Sequence, residues 1–182
     1  WMKGLLQVSA AFALLRCSLW LMVKGVLGWG LGLAAVGVGA VAGVVGWQLN
    51  GRYRPLPFYT FSPYELQVPW EDVEFQAEDG VALTGWVLPR EDAKGVVVCC
   101  HGRRGNKADV LGVGAGLWRA GYEALLFDFR GHGSSGDGPQ SVAFYEQRDF
   151  RAAVDLVAAR RPGLPIAVIG FSMGAATAIL AG

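Results

Sequence analysis

Ile166-Ala167-Val168-Ile169-Gly170-Phe171-Ser172-Met173-Gly174-Ala175-Ala176 decides how the rest of the chain is read. A short β-branched run ends in Gly-x-Ser-x-Gly and passes at once into small, helix-tolerant residues. The pentapeptide alone is a weak signal, and its setting between a Val/Ile strand and an Ala-rich helix gives it weight. That setting puts Ser172 on a tight, strained turn, its hydroxyl lifted off the carboxyl end of the strand. Gly170 and Gly174 then fall where strand and helix approach too closely for a Cβ. The plain alternative is a strand–turn–helix with an incidental serine.

Upstream of this turn, strands and helices alternate. Val73–Ala77, Asp79-Gly80 and Val81–Leu88 read as a hairpin with an Asp-Gly turn. Gly95–Cys100 and Glu123–Phe127 are continuous apolar runs, as expected of strands buried on both faces. Lys107–Ala120 has helical character and stops at Gly121. Phe144–Arg160 is a longer helix with an apolar face at Phe150, Val154 and Val157. Pro162 and Pro165 mark the loop before the serine strand. A hairpin followed by strand–helix alternation predicts an α/β fold with a doubly wound, mainly parallel sheet.

Charge divides the chain unevenly. Residues 1–64 hold Lys3, Arg16, Lys24, Arg52 and Arg54 and no acid, whereas residues 65–182 hold all 15 acids against 11 Lys/Arg. A basic front and a mildly acidic body give no surface suited to nucleic acid, and none is expected as a partner. Cys17, Cys99 and Cys100 have neither disulfide nor metal-ligand spacing. Adjacent Cys99 and Cys100 read as small buried hydrophobes. Neither metal nor cofactor is expected.

Four segments follow: 1–24, basic and apolar; 25–49, a membrane span; 50–70, proline-rich; and 71–182, the α/β domain. Gly25–Leu49 is charge-free and exceeds the roughly 20 apolar residues a spanning helix needs. Trp29 and Trp47 lie near its ends, where amphipathic rings favour the interface. Gly28, Gly32, Ala35, Gly39, Ala42 and Gly46 share one helix face, a stripe that allows transmembrane self-association unless glycine is merely abundant there. The length does not suit a cleaved signal peptide. Arg16 interrupts the earlier run Gly4–Val23 and leaves it as an interfacial helix or a first span. With one span, the Lys/Arg distribution leans toward an extracytoplasmic domain, and two spans would reverse that. Pro55, Pro57, Pro63 and Pro69 exclude a regular element from Arg52–Trp70, which reads as an extended linker along the membrane surface.

Three loops are expected at the carboxyl ends of parallel strands, where open α/β sheets bind ligands. They are His101-Gly102-Arg103-Arg104-Gly105-Asn106, Asp128-Phe129-Arg130-Gly131-His132-Gly133-Ser134-Ser135, and the Ser172 turn. On these three motifs, from about residue 72 onward, the chain resembles the α/β-hydrolase family. It is most similar to membrane-anchored bacterial members grouped with serine aminopeptidases and monoacylglycerol-lipase-like esterases. The resemblance implies Ser172 as nucleophile and an oxyanion hole from the backbone N–H groups of Met173 and Arg103. It implies a small-molecule or lipid ester or amide as substrate, with membrane lipids as surroundings. His101 and His132 serve loop geometry in that family, and Asp128 braces the Arg130–Ser135 turn. Arg103 and Arg104 read as solvated charges, or as contacts for an anionic substrate group.

In this fold an acid and then a histidine follow the serine in chain order. Residues 173–182 contain neither. The chain is therefore expected to be the front half of a catalytic domain, truncated after the elbow, silent without its base, and open along the far edge of the elbow strand. Three functions fit: a membrane-tethered serine hydrolase, a non-catalytic hydrolase-fold scaffold or binding module, and an acyltransferase on the same fold.

Overall fold

The structure, a computed structural model, describes the backbone of residues 2–50, 59 and 61–182, and side chains at 20, 22–47, 59 and 61–182. Two compact units divide the chain, Trp1–Gln48 and Leu49–Gly182. The first is a single α-helix, α1 (Met2–Asn50). Residues 2–24 continue this helix without a break at Lys24. Met22–Trp47 is the stretch long and apolar enough to cross a membrane. Trp29, Leu31, Leu33 and Trp47 stand exposed along it.

Pro55 and Pro57, with Arg52 and Arg54, lie outside the described residues. Residues 61–70 hold a turn at Pro63–Gln67 and no helix or strand, as their prolines dictate. They do not form a free spacer, however. Val68 is buried, Tyr59 and Leu66 pack against the same apolar cluster, and Arg119 donates to the Leu66 carbonyl at 2.8 Å. Burying these apolar groups, at about 25 cal/mol per Å², outweighs leaving them in an extended linker.

The second unit is a five-stranded sheet. Its strands are β1 (Glu71–Gln76), β2 (Ala82–Leu88), β3 (Val96–Cys100), β4 (Glu123–Phe127) and β5 (Ile166–Gly170). Its helices are α2 (Leu111–Arg119, entered through a 3-10 turn at Lys107–Val110), α3 (Glu146–Arg160) and α4 (Met173–Ala181). The strand order is β1-β2-β4-β3-β5. The hairpin pairs antiparallel, as its Asp79-Gly80 turn predicts, and Gly80 supplies the positive φ of 82°. β2 also runs antiparallel to β4, while β4, β3 and β5 are mutually parallel.

Alternate side chains of β3 feed opposite clusters. Val97 and Cys99 join Leu126, Leu111 and Ala115 under α2, and Val96, Val98 and Cys100 join Phe127, Phe150 and Val157 under α3. Both faces are covered, so the strand reads as an unbroken apolar run. The register then fixes the site: Cys100 stands opposite Phe127 on one side and Gly170 on the other. β4, β3 and β5 therefore end level, and the three loops that follow them emerge side by side.

Candidate active site

Ser172 has φ 50° and ψ −114°, a conformation that non-glycine residues avoid, and its side chain is exposed. Close packing holds it there. A Cβ on Gly170 would lie 2.6 Å from the Ala175 nitrogen, and one on Gly174 would lie 2.6 Å from the carbonyl oxygens of Cys100 and His101. No side chain fits at either position, so the strand can turn into α4 within three residues. The Phe171 N–H donates to the Cys100 carbonyl at 3.0 Å and the Gly174 N–H to the Phe171 carbonyl at 2.9 Å. Met173 opens α4 with its side chain buried, and the Thr177 hydroxyl donates to its carbonyl at 2.8 Å. The amides of a first helical turn have no partner within the helix, and of these Gly174 donates to Phe171 and Ala176 to the Ser172 carbonyl at 3.0 Å.

The loop after β3 abuts the elbow. A Cβ on Gly102 would lie 3.5 Å from Ser172 Cβ. Arg103 follows half-buried, and Arg104 takes a positive φ of 67°. Asn106 and Asp109 cap the turn beyond it reciprocally, the Asn106 side chain accepting from Ala108 N–H and the Asp109 carboxylate from Asn106 N–H.

Neither histidine faces the serine as a base. His101 Nδ1 lies 2.7 Å from the Gly102 carbonyl, and its Nε2 accepts from Phe129 N–H at 3.1 Å. His132 Nδ1 lies 2.9 Å from the Arg130 carbonyl, and its Nε2 accepts from Arg104 N–H at 3.3 Å. Since a carbonyl only accepts, Nδ1 carries the proton in both rings. Burial lowers the His101 pKa from 6.5 to about 4 and lowers that of His132 as well. Both rings are committed and neutral.

Asp128 is fully buried and braces its turn, with Oδ2 accepting from Ser134 N–H at 3.1 Å. Sequence reasoning missed the rest of its partners. Lys107 is buried beside it, its Nζ donating to Asp128 at 2.9 Å and to Tyr59 at 2.8 Å, and the Tyr59 hydroxyl also donates to Asp128 at 2.6 Å. A lysine opening a helix, and a tyrosine from the proline-rich segment, give no sequence signal of burial. Arg130 was also missed. Its guanidinium, fully buried, pairs with Asp149 of α3 at 2.7 Å and with Asp79 of the hairpin turn at 2.8 Å. Its hydrogen bond holds the Asp79 carboxyl down at about 2. Cys99 and Cys100 are buried, and burial pushes the Cys99 thiol up to about 12, too high for a thiolate nucleophile at neutral pH. Among the described residues no cluster of three or more His, Cys, Asp and Glu is placed to hold a metal.

An exposed serine on a strained elbow, with two loops level beside it, is an arrangement known proteins share. Residues 91–182 match the family described as serine aminopeptidase, S33. The uncharacterized protein YfhR of Escherichia coli K12 is 30% identical over 117 residues, covering 59% of this chain and 40% of the relative. A monoacylglycerol lipase of Mycolicibacterium smegmatis is 35% identical over 88 residues, covering 47% of this chain and 31% of that one. Among solved structures, the Pyrococcus furiosus esterase Pf2001 superposes with a TM-score of 0.65 at 34% identity, covering 70% of this chain and 52% of the esterase. XC6422 from Xanthomonas campestris, an α/β serine hydrolase without a lid, gives 0.55 at 26% identity over 62% of this chain and 55% of its own. The chain thus spans about half the length of these solved structures, and less of the curated relatives. With the matched residues covering the strand-end loops and the serine elbow, the chain belongs to the serine aminopeptidase S33 family of α/β-hydrolases.

Proposed function

We propose that this chain supplies the nucleophile and oxyanion hole of a membrane-anchored serine hydrolase acting on ester, thioester or amide bonds. The observation that supports it best is Ser172, exposed and strained at the level ends of three parallel strands. Its Oγ attacks the substrate carbonyl carbon while an imidazole takes the hydroxyl proton. The tetrahedral oxyanion accepts from the backbone N–H groups of Met173 and Arg103, each such donor contributing about 3 kcal/mol of transition-state stabilisation. Collapse expels the alcohol, thiol or amine with the proton returned by the imidazole, and water then resolves the acyl-enzyme. His101 and His132 have both ring nitrogens engaged, so neither is assigned as that base. Esterase Pf2001 and the mycobacterial lipase favour small or lipid esters as the substrate class. The Met22–Trp47 helix favours membrane lipids as the surroundings, with self-association of that helix through its small-residue face.

One observation favours the non-catalytic scaffold: residues 1–182 hold no histidine with an uncommitted ring nitrogen. An acyltransferase would differ only in the group that resolves the acyl-enzyme. The test is hydrolysis of short-chain p-nitrophenyl esters by the native protein in membranes from expressing cells. Ser172→Ala should lower turnover by about 10³-fold or more. Turnover unchanged in that variant would remove Ser172 from the mechanism.

A further inference from the structure

The two histidines flank the peptide groups on either side of Arg103, and their bonding is reciprocal. His101, in the loop after β3, accepts from Phe129 in the loop after β4 at 3.1 Å. His132, in the loop after β4, accepts from Arg104 in the loop after β3 at 3.3 Å. Their ring centroids are 5.1 Å apart. Each ring donates through Nδ1 to a carbonyl of its own loop and accepts at Nε2 from an amide of the other, so each ties the two loops together with one directed bond while a second fixes its ring.

The consequence falls on the Gly102–Arg103 peptide group, whose C=O and N–H are one rigid trans plane. Its oxygen accepts from His101 Nδ1–H at 2.7 Å and from Gly105 N–H at 3.1 Å. In a trans peptide the N–H points opposite the C=O, so fixing the oxygen also fixes where the Arg103 N–H points. The next plane, Arg103–Arg104, is fixed through its N–H by His132 Nε2. That bond also holds Arg104 at its positive φ of 67°, a conformation an isolated arginine leaves readily.

We infer that His101 and His132 are a paired positioning device, two neutral Nδ1–H imidazoles that together aim the Arg103 backbone N–H beside Ser172. The inference rests on the reading of Arg103 as an oxyanion donor, but the geometry of the device does not. Protonating either Nε2 would set an N–H against an N–H, at Phe129 for His101 and at Arg104 for His132. The ionisable groups around His101 are His132, Asp128 and Asp109, and around His132 they are Glu146, Asp128 and Arg103. Arg130 stands behind the device: its carbonyl takes the His132 proton, and its guanidinium is locked to Asp149 and Asp79.

Nitrogen NMR of the ¹⁵N-labelled full chain in detergent micelles tests this without recourse to catalysis. Both imidazoles should show the Nδ1–H tautomer at pH 7, and each should take up a proton only below the ordinary histidine range. An Nε2–H tautomer in either ring, or an ordinary titration in either, would overturn the proposal. In His132→Phe the Arg104 amide should exchange about tenfold faster or more, the change expected on losing one buried hydrogen bond, while the Phe129 amide stays protected. His101→Phe should do the reverse. Equal loss at both amides with the rest of β4 protected would contradict independent bonds. If a variant unfolds, the tautomers of the unsubstituted chain decide. A failure of Ser172→Ala to abolish turnover would leave this result standing, so the two readings fail separately.

Discussion

Every residue of β4 from Glu123 to Phe127 is buried, whereas in β5 Ala167 and Val168 face solvent and, among the described residues, only β3 pairs with the strand. The loops that follow these strands differ in the same way. After β3 and β4, Asp128, Arg130, His101 and His132 are buried and each is held by several directed bonds. After β5, the elbow is held by steric fit around Gly170 and Gly174, while Phe171, Ile179 and Leu180 are exposed nearby in the chain. The side of the site built by the loops after β3 and β4, the donor side in the proposed reading, is thus preformed within these residues. The nucleophile side borrows its shape from the donor side, through contact of Gly174 with Cys100 and His101.

Substitutions on the two sides should separate by size. The largest effect is expected from Arg130→Met, which strands the buried carboxylate of Asp149 and leaves Asp79 with Arg148 alone, at 2.9 Å. Removing one partner of such a buried pair costs about 3–5 kcal/mol, and denaturant unfolding of the full chain in detergent measures it. A loss below about 1 kcal/mol would mean that water reaches the pair and the donor side is less sealed than described.

Acid comes next. Because both histidines are neutral in the fold, the unfolded chain binds protons first as the pH falls. Stability should therefore be full above pH 6.5 and drain between 6.5 and about 4, the ordinary and folded values of His101. Fully developed, the His101 share is about 3 kcal/mol. Asp79, held at about 2 by Arg130, adds a further loss that starts only below 3.8. Unfolding curves at pH 7.5 and 4.5 test this, and equal midpoints would contradict it. At the small end, Ile179→Ser on the exposed face of α4 should change stability by no more than about 0.5 kcal/mol. A large destabilisation there would show that α4 is covered in solution and would erase the contrast between the two sides.

Much of this was legible in the chain because its signals are local. The alternating runs gave the five strands within two residues, and the elbow glycines follow from the single fact that Ser172 must turn sharply between strand and helix. Asp128 bracing its turn was likewise readable from the motif around it. Partners distant in sequence were not. Lys107 and Tyr59 meet Asp128 across 21 and 69 residues, and Arg130 reaches Asp79 across 51. A charged residue bound for a buried pair has the same local pattern as a solvated one. The proline-rich segment was read as a spacer because proline forbids regular structure, yet proline does not forbid packing, and Val68 and Tyr59 pack.

The central claim is that the strained elbow carries the nucleophile. It is tested most directly by treating the native protein in membranes from expressing cells with a fluorophosphonate and mapping the adduct by peptide mass spectrometry. The modification should sit on the peptide spanning the β5–α4 turn, at Ser172, and vanish in Ser172→Ala. An adduct on Ser134, Ser135, Tyr59 or any other residue, persisting in that variant, would contradict it.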